Sequence, residues 1–314
     1  MKISGFTMGR NVSKLAYPIK ESIMSILPIV DEFVVALGEG DEDDNTRELI
    51  ESIKSPKIKI IPTQWDLQKY PHGMENAHQT DIAKEACSGD WLFYLQADEV
   101  VHEKYLSTIK KRCEELLPDK HVEGLLFKYM HFWGDFDHYQ QSHTWYDREI
   151  RIIRNDPDIH SWRSAQSFRR IPDFDGLNYR QKDGTYKLNV AEVDAYIFHY
   201  GWVRPPRLMK NKMKALSVIH KGEQQTRQKL SNKNFDYGPL NRLKVYRGTH
   251  PKVMKKWIMD FNWGDELQFS GAPSKNRKKY KHEKRKYRLL SWLENKLLGG
   301  KKMGGSKNYN LLKR

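Results

Sequence analysis

Gly89-Asp90-Trp91-Leu92-Phe93-Tyr94-Leu95-Gln96-Ala97-Asp98-Glu99 sets five apolar residues in succession between a Gly-Asp entry and an acidic exit. An unbroken apolar run of that length reads as a strand buried on both faces, the kind found in parallel sheets with helices on either side. Carboxylates are costly to bury without a partner, so Asp98 and Glu99 must meet solvent, a cation or a ligand where the strand ends. The plainer alternative is an exposed acidic turn that caps the next helix.

Working outward, Ala77 to Cys87 reads as a helix closed by Ser88-Gly89, with the glycine as its left-handed cap. Lys2 to Phe6 reads as a first strand, and Asn11 to Leu27 as a helix carrying Leu15, Ile19, Ile23 and Ile26 near the helical period. Phe33 to Leu37 is another continuous apolar run, followed by the acidic loop Gly38 to Thr46, a helix from Arg47 to Ile53 and a strand from Lys57 to Ile61. Strands alternating with helices predict an α/β fold with a mostly parallel central sheet flanked by helices. Ligands of such sheets bind beyond the carboxyl ends of the strands, where the acidic loop and Asp98-Glu99 both lie. Downstream, Gly124 to Met130, Glu149 to Arg154 and Ala195 to Tyr200 read as strands, and a helix should run from Arg207 to about Lys221.

The 314 residues, 38% hydrophobic and 30% charged, suffice for one large catalytic unit with an appendage. We read 1–245 as the catalytic domain, with a nucleotide-binding half to about residue 100, 246–272 as a helical extension and 273–314 as a basic tail. Cys87 and Cys113 form no metal-binding or disulfide pattern and suit a reducing compartment. The first ten residues lack the apolar core of a signal peptide, and no stretch approaches the roughly 18 apolar residues of a membrane span. The expectation is a cytoplasmic protein.

The formal charge of +15 would suit a nucleic-acid partner, but its distribution argues otherwise. Between Lys275 and Arg314, 15 Lys or Arg stand against only Glu283 and Glu294, so +13 of the charge lies there. No specific nucleic acid is expected for the body of the chain. A polybasic run joined to Leu289-Leu290-Ser291-Trp292-Leu293 suits an anionic membrane surface instead, at its inner face. A solvated tail that only aids solubility is the simpler alternative.

Over roughly residues 1 to 220 the chain resembles glycosyltransferase family 2, inverting enzymes of the GT-A fold. The resemblance rests on Val34-Val35 followed by Asp44-Asn45-Thr46, then on Gly89-Asp90-Trp91, the apolar strand and Gln96-Ala97-Asp98-Glu99. It implies transfer of a sugar from a nucleotide-sugar donor, UDP- or GDP-linked, to a glycan or lipid-linked acceptor. It also implies Mn²⁺ or Mg²⁺, a hard ion that bridges carboxylate and diphosphate oxygens. Gln96 replaces the first acid of the family's Asp-x-Asp, so the metal would rest chiefly on Asp98, with Gln96 and Ala97 facing the nucleotide. His199, in Ile197-Phe198-His199-Tyr200-Gly201-Trp202, matches a metal- or phosphate-contacting histidine of the family; a structural histidine at a strand end is the alternative.

For the donor's base, Thr7, Gly9, Arg10 and Asn11 at the end of the first strand are candidates; for its ribose, the resemblance points to Glu39, Asp41 or Asp44, with Asp66 a further candidate. Ordinary loop solvation is the default alternative for each of them. An inverting transfer needs a base for the acceptor hydroxyl. Trp162 to Ser167, where the family carries a glutamate, holds no carboxylate, which leaves Asp147 and Glu149, then Glu192 and Asp194. Trp133, Trp145, Tyr146 and Trp162 offer faces for a sugar ring, although core packing is the more frequent use of such residues. A sugar-nucleotide nucleotidyltransferase could use a similar sheet, but Ser4 to Arg10 only faintly echoes its glycine-rich phosphate loop.

Overall fold

The computed structural model describes residues 1–227, 234–274, 277, 279–299, 302–304 and 307–314. Lys275, Asn276 and Lys278 of the basic run lie outside the described residues. The nucleotide-binding half runs β1 (Ile3–Gly9), α1 (Ile19–Ile26), β2 (Glu32–Gly38), α2 (Thr46–Glu51), β3 (Ile58–Thr63), α3 (Met74–Glu85) and β4 (Trp91–Tyr94). Then come β5 (Glu99–Val101), α4 (Leu106–Leu116), β6 (Gly124–Trp133), β7 (His138–Gln140), β8 (Arg148–Arg154), β9 (Ile159–Trp162), β10 (Ser167–Arg170) and β11 (Tyr186–Trp202). The chain continues with α5 (Pro206–Lys221), α6 (Glu223–Arg227), β12 (Lys244–Val245), α7 (Lys255–Met259), α8 (Arg285–Leu297) and β13 (Tyr309–Leu311).

The central sheet has the order β3-β2-β1-β4-β8-β6-β11, continued by β10 and β9. β3, β2, β1 and β4 are parallel; β8 is antiparallel to both β4 and β6, and β6 is parallel to β11. Every strand from β3 to β11 except β8 therefore points the same way, which is the mostly parallel α/β sheet the alternation predicts. Phe33, Val34, Val35, Trp91, Leu92, Phe93 and Tyr94 are fully buried, as runs covered on both faces should be. One face packs Ile23, Ile26 and Ile109 against Phe93, Phe127 and Ile197; the other packs Ala83 and Phe168 against Phe6, Tyr94 and Ile150.

Several local expectations are corrected. The helix expected from Asn11 begins only at Ile19: Pro18 disfavours helical backbone in the residue before it, and Asn11 and Ala16 have φ of 53° and 52°. The helix expected from Ala77 begins at Met74, entered through Gly73 at φ +85°. Gly89 is not a left-handed cap; it lets the chain pass Ser4, whose backbone nitrogen would lie 2.7 Å from an added Cβ.

β11 is much longer than the Ala195–Tyr200 expected. β6 covers one flank of it, while β10, β13 and β5 take successive parts of the other. From the 246–272 segment, Met254, Trp263 and Leu267 enter a cluster with Phe132, Trp133, Phe198 and Tyr200. Cys87 and Cys113 are buried free thiols. Among the described residues, no helix is long and apolar enough to cross a membrane.

Candidate active site

The ends of β1 and β4 open into a cavity of about 290 Å³, closed on the far side by the end of β11 and by α5. Gly9 and Arg10 line it from the end of β1, Gln96, Ala97 and Asp98 from the turn between β4 and β5, His199 and Trp202 from β11, and Lys212, Leu216 and His220 from α5. Tyr17, Trp65, Asn76, Tyr146, Ser164 and Gln166 complete the walls. Ser164 sits between Arg163 and Ala165, both left-handed at φ 61° and 56°. Such backbone is costly for residues with side chains, and it holds Ser164 within 3.0 Å of the Asn76 amide.

Asp98 is 5% exposed, yet it carries charge. Lys212 Nζ lies 3.0 Å from Oδ2 and His199 Nε2 3.7 Å from Oδ1. Burial opposes ionisation, but the charges of Lys212 and Arg204 outweigh it and hold the carboxyl well below the usual range. Lys212 is itself pulled down to about 8, by burial first and then by Arg204, with Asp98 opposing. Its ammonium also donates to Gly201 O at 2.6 Å.

His199 is held in one tautomer. His131 Nε2 lies 2.8 Å from Tyr146 O, which can only accept, so His131 carries its proton there and presents a lone pair at Nδ1. His199 Nδ1, 3.0 Å away, must therefore donate to it. Burial lowers both imidazoles' proton affinity, so His199 is neutral and its Nε2 lone pair faces Asp98.

Glu99 turns away from this cavity. Arg151 grips it through Nε at 2.7 Å and Nη2 at 2.8 Å, Tyr129 donates at 2.7 Å, and both charged groups are shut off from solvent. The strand-end acids thus divide: Glu99 braces β5 against β8, and Asp98 alone faces the cavity. Gln96 lines the wall, but its amide donates to Ala165 O at 2.9 Å.

Gly9, Arg10, Gln96, Ala97, Asp98 and His199 line one cavity; the other donor, metal and base candidates do not. Thr7 is buried with its hydroxyl on Leu95 O, tying β1 to the end of β4. Asn11 accepts from Asp41 N at 2.8 Å, and Glu39 and Asp41 line a separate groove beyond β2 and β3. Asp41 is paired with Lys14 at 2.6 Å. Asp66 folds back on the amides of Gln68 and Lys69, a loop cap. The two base candidates lie outside the cavity wall. Glu149 is buried under Ser167 Oγ at 2.7 Å and Ile150 N at 3.0 Å, with burial raising its pKa; Asp147 is not among the lining residues. Glu192 pairs with Arg148 and Asp194 with Lys128.

The sequence reading missed Lys212, Tyr17, Trp65, Arg204 and His220. A signal existed for Lys212: α5 buries Pro206, Met209 and Lys212 at successive helical turns, so a cation interrupts the inward row. Arg204 is 1% exposed, and its Nε and Nη2 find no protein partner. Trp65 Nε1 is a further buried donor without one.

No family model matches the chain, and no curated protein does. Among solved structures it is similar to TarS of S. aureus, at 16% identity and TM-score 0.38, over 73% of this chain but only 42% of that one. Residues 1–349 of TarS in complex with UDP match at 16% identity and TM-score 0.38, covering 73% of this chain and 69% of that one. Glucosyl-3-phosphoglycerate synthase of Mycobacterium tuberculosis, in complex with Mn²⁺, UDP and phosphoglyceric acid, matches at 19% identity and TM-score 0.28, over 41% of this chain and 43% of that one.

Proposed function

We propose that this chain is an inverting glycosyltransferase of the family 2 type that moves a sugar, a hexose by the resemblance, from a nucleotide-sugar donor to a glycan or lipid-linked acceptor. The observation that carries the reading is the placing of Asp98. It is a charged carboxylate at the end of a central strand, in a cavity whose opposite walls are the end of β1 and the α5 cation Lys212. A nucleotide beyond the carboxyl ends of β1 and β4 sets its diphosphate between Arg10, Lys212 and Asp98, and Trp65 and Tyr17 offer flat faces.

The donor set fits a divalent ion as a site completed by substrate. Asp98 Oδ1 and the His199 Nε2 lone pair converge, His131 fixes the imidazole from behind, and no group of three Asp, Glu, His or Cys forms among the described residues. Asp98 and His199 would hold Mn²⁺ or Mg²⁺, with diphosphate oxygens and water as the remaining ligands. When bound, the ion neutralises charge that builds on the departing nucleotide.

A thermal-shift panel of UDP-, GDP-, CMP- and dTDP-sugars tests the reading, since a ligand of the native state raises its melting temperature. At least one sugar nucleotide should do so, and Asp98→Asn should abolish transfer to an acceptor while the protein stays folded. Full transfer by that variant would remove the assignment.

We also propose that the outer face of α8 rests on an anionic membrane surface. Leu289 and Trp292 are 59% and 55% exposed and are flanked by exposed Arg285, Lys286, Arg288 and Lys296. The helix's one acid, Glu294, faces inward onto His143 and Met303 N. That pattern combines apolar insertion with attraction to lipid headgroups.

A further inference from the structure

Lys212 and Arg204 are two cations buried around one carboxylate. Lys212 Nζ and the Arg204 guanidinium carbon each lie 4.6 Å from the Tyr17 ring centre. Among the described residues Asp98 is the only carboxylate that lines the cavity, and none lies within ion-pair distance of Arg204. Burying a second positive charge against one neutralised carboxylate is expensive, and such a surplus persists where an anion comes to meet it.

The hydrogen-bond count says where that anion sits. An ammonium has three N–H groups. One donates to Asp98 Oδ2 and one to Gly201 O, so a third is left for the cavity that Lys212 lines. Both bonds fix the ammonium in place, so a ligand meets a donor that needs no rearrangement. Behind it, Arg204 is anchored through Nη1 on Leu15 O, with Nε and Nη2 unpaired, and adds positive potential to the same wall.

We infer that Lys212, backed by Arg204, holds the donor's diphosphate directly, so that the nucleotide binds without a metal ion. The inference rests on the reading of this cavity as a nucleotide-sugar site and adds to it a residue and an order of events. The diphosphate binds first, through Lys212 and Arg10. Asp98 Oδ1 and His199 Nε2 then complete an ion site around it.

The experiment is calorimetric titration of the full-length protein with UDP, GDP, CDP, dTDP, uridine and inorganic pyrophosphate, in EDTA and in Mn²⁺. We expect a nucleoside diphosphate and pyrophosphate to bind in EDTA. Lys212→Met should weaken both by about ten-fold or more, the scale of a lost charge-assisted hydrogen bond, and leave uridine within about two-fold. Lys212→Arg, which keeps the charge should Lys212→Met fold poorly, should recover part of the diphosphate affinity. Equal losses for uridine and UDP in Lys212→Met would mean a structural lysine and overturn the inference. Diphosphates that bind only with Mn²⁺ would overturn it and leave the nucleotide-sugar reading standing. Pyrophosphate binding with no nucleoside diphosphate binding would support Lys212 and remove the nucleotide. Silence of every probe in both buffers would overturn both.

Discussion

At the level of single residues, Gly201 bounds the site as closely as any side chain. A Cβ added there would run into Asp98 Oδ2 and come within 2.6 Å of His199 Nε2. Gly201→Ala should therefore push carboxylate and imidazole apart. Transfer should fall by about a hundred-fold, the usual cost of misplacing reactive groups by an ångström, with the melting temperature nearly unchanged. Glu149→Gln makes the opposite point. Burial raises the pKa of Glu149 in the folded protein, so the group costs stability, a loss complete once pH has risen through the raised folded pKa and recovered only as pH falls below the ordinary carboxyl value of the unfolded chain. A glutamine still accepts from Ser167 and has no charge to bury. The variant should melt at or above the wild-type temperature at neutral pH and keep turnover within about two-fold, measured by calorimetry and steady-state assay. Asp98 was legible because an acid directly after a buried strand has few places to go. Lys212 was not, because its meaning depends on which helix comes to face β4, and that is settled by tertiary packing.

Strands and helices tell a similar story one step up. β2 and β4 could be read from sequence because both of their faces are apolar. β5, β9, β10 and β13 could not, since each has only three or four residues and takes its register from β11 or a neighbour. The Arg151–Glu99 pair ties β8 to β5 and thereby fixes the peptide on which Asp98 sits. Arg151→Leu strands a buried carboxylate and should cost about 3–5 kcal/mol in urea denaturation, whereas exchanging both partners for methionine should restore most of that stability. Equal destabilisation by the single and double variants would show that the pair does not act as a unit.

For the molecule as a whole, charge is segregated: the cavity at Asp98 holds a small local surplus, and the dense run of Lys and Arg belongs to α8 and its flanks. Leu289→Asp combined with Trp292→Asp should abolish sedimentation with phosphatidylserine vesicles and leave nucleotide binding intact; vesicle binding that survives the exchange would dismiss α8 as the contact. Point changes suit this question better than deletion, because β13 makes the tail part of the sheet. Tyr309–Leu311 pair with Leu188–Val190, Leu312 N donates to Val190 O, and Arg314 meets Asp119 at 2.9 Å. A chain cut before these residues bares a row of amide and carbonyl groups near the start of its longest strand, an open seam to which a second molecule's backbone can add. Shortened versions should therefore clump together, a behaviour easily mistaken for loss of a membrane anchor.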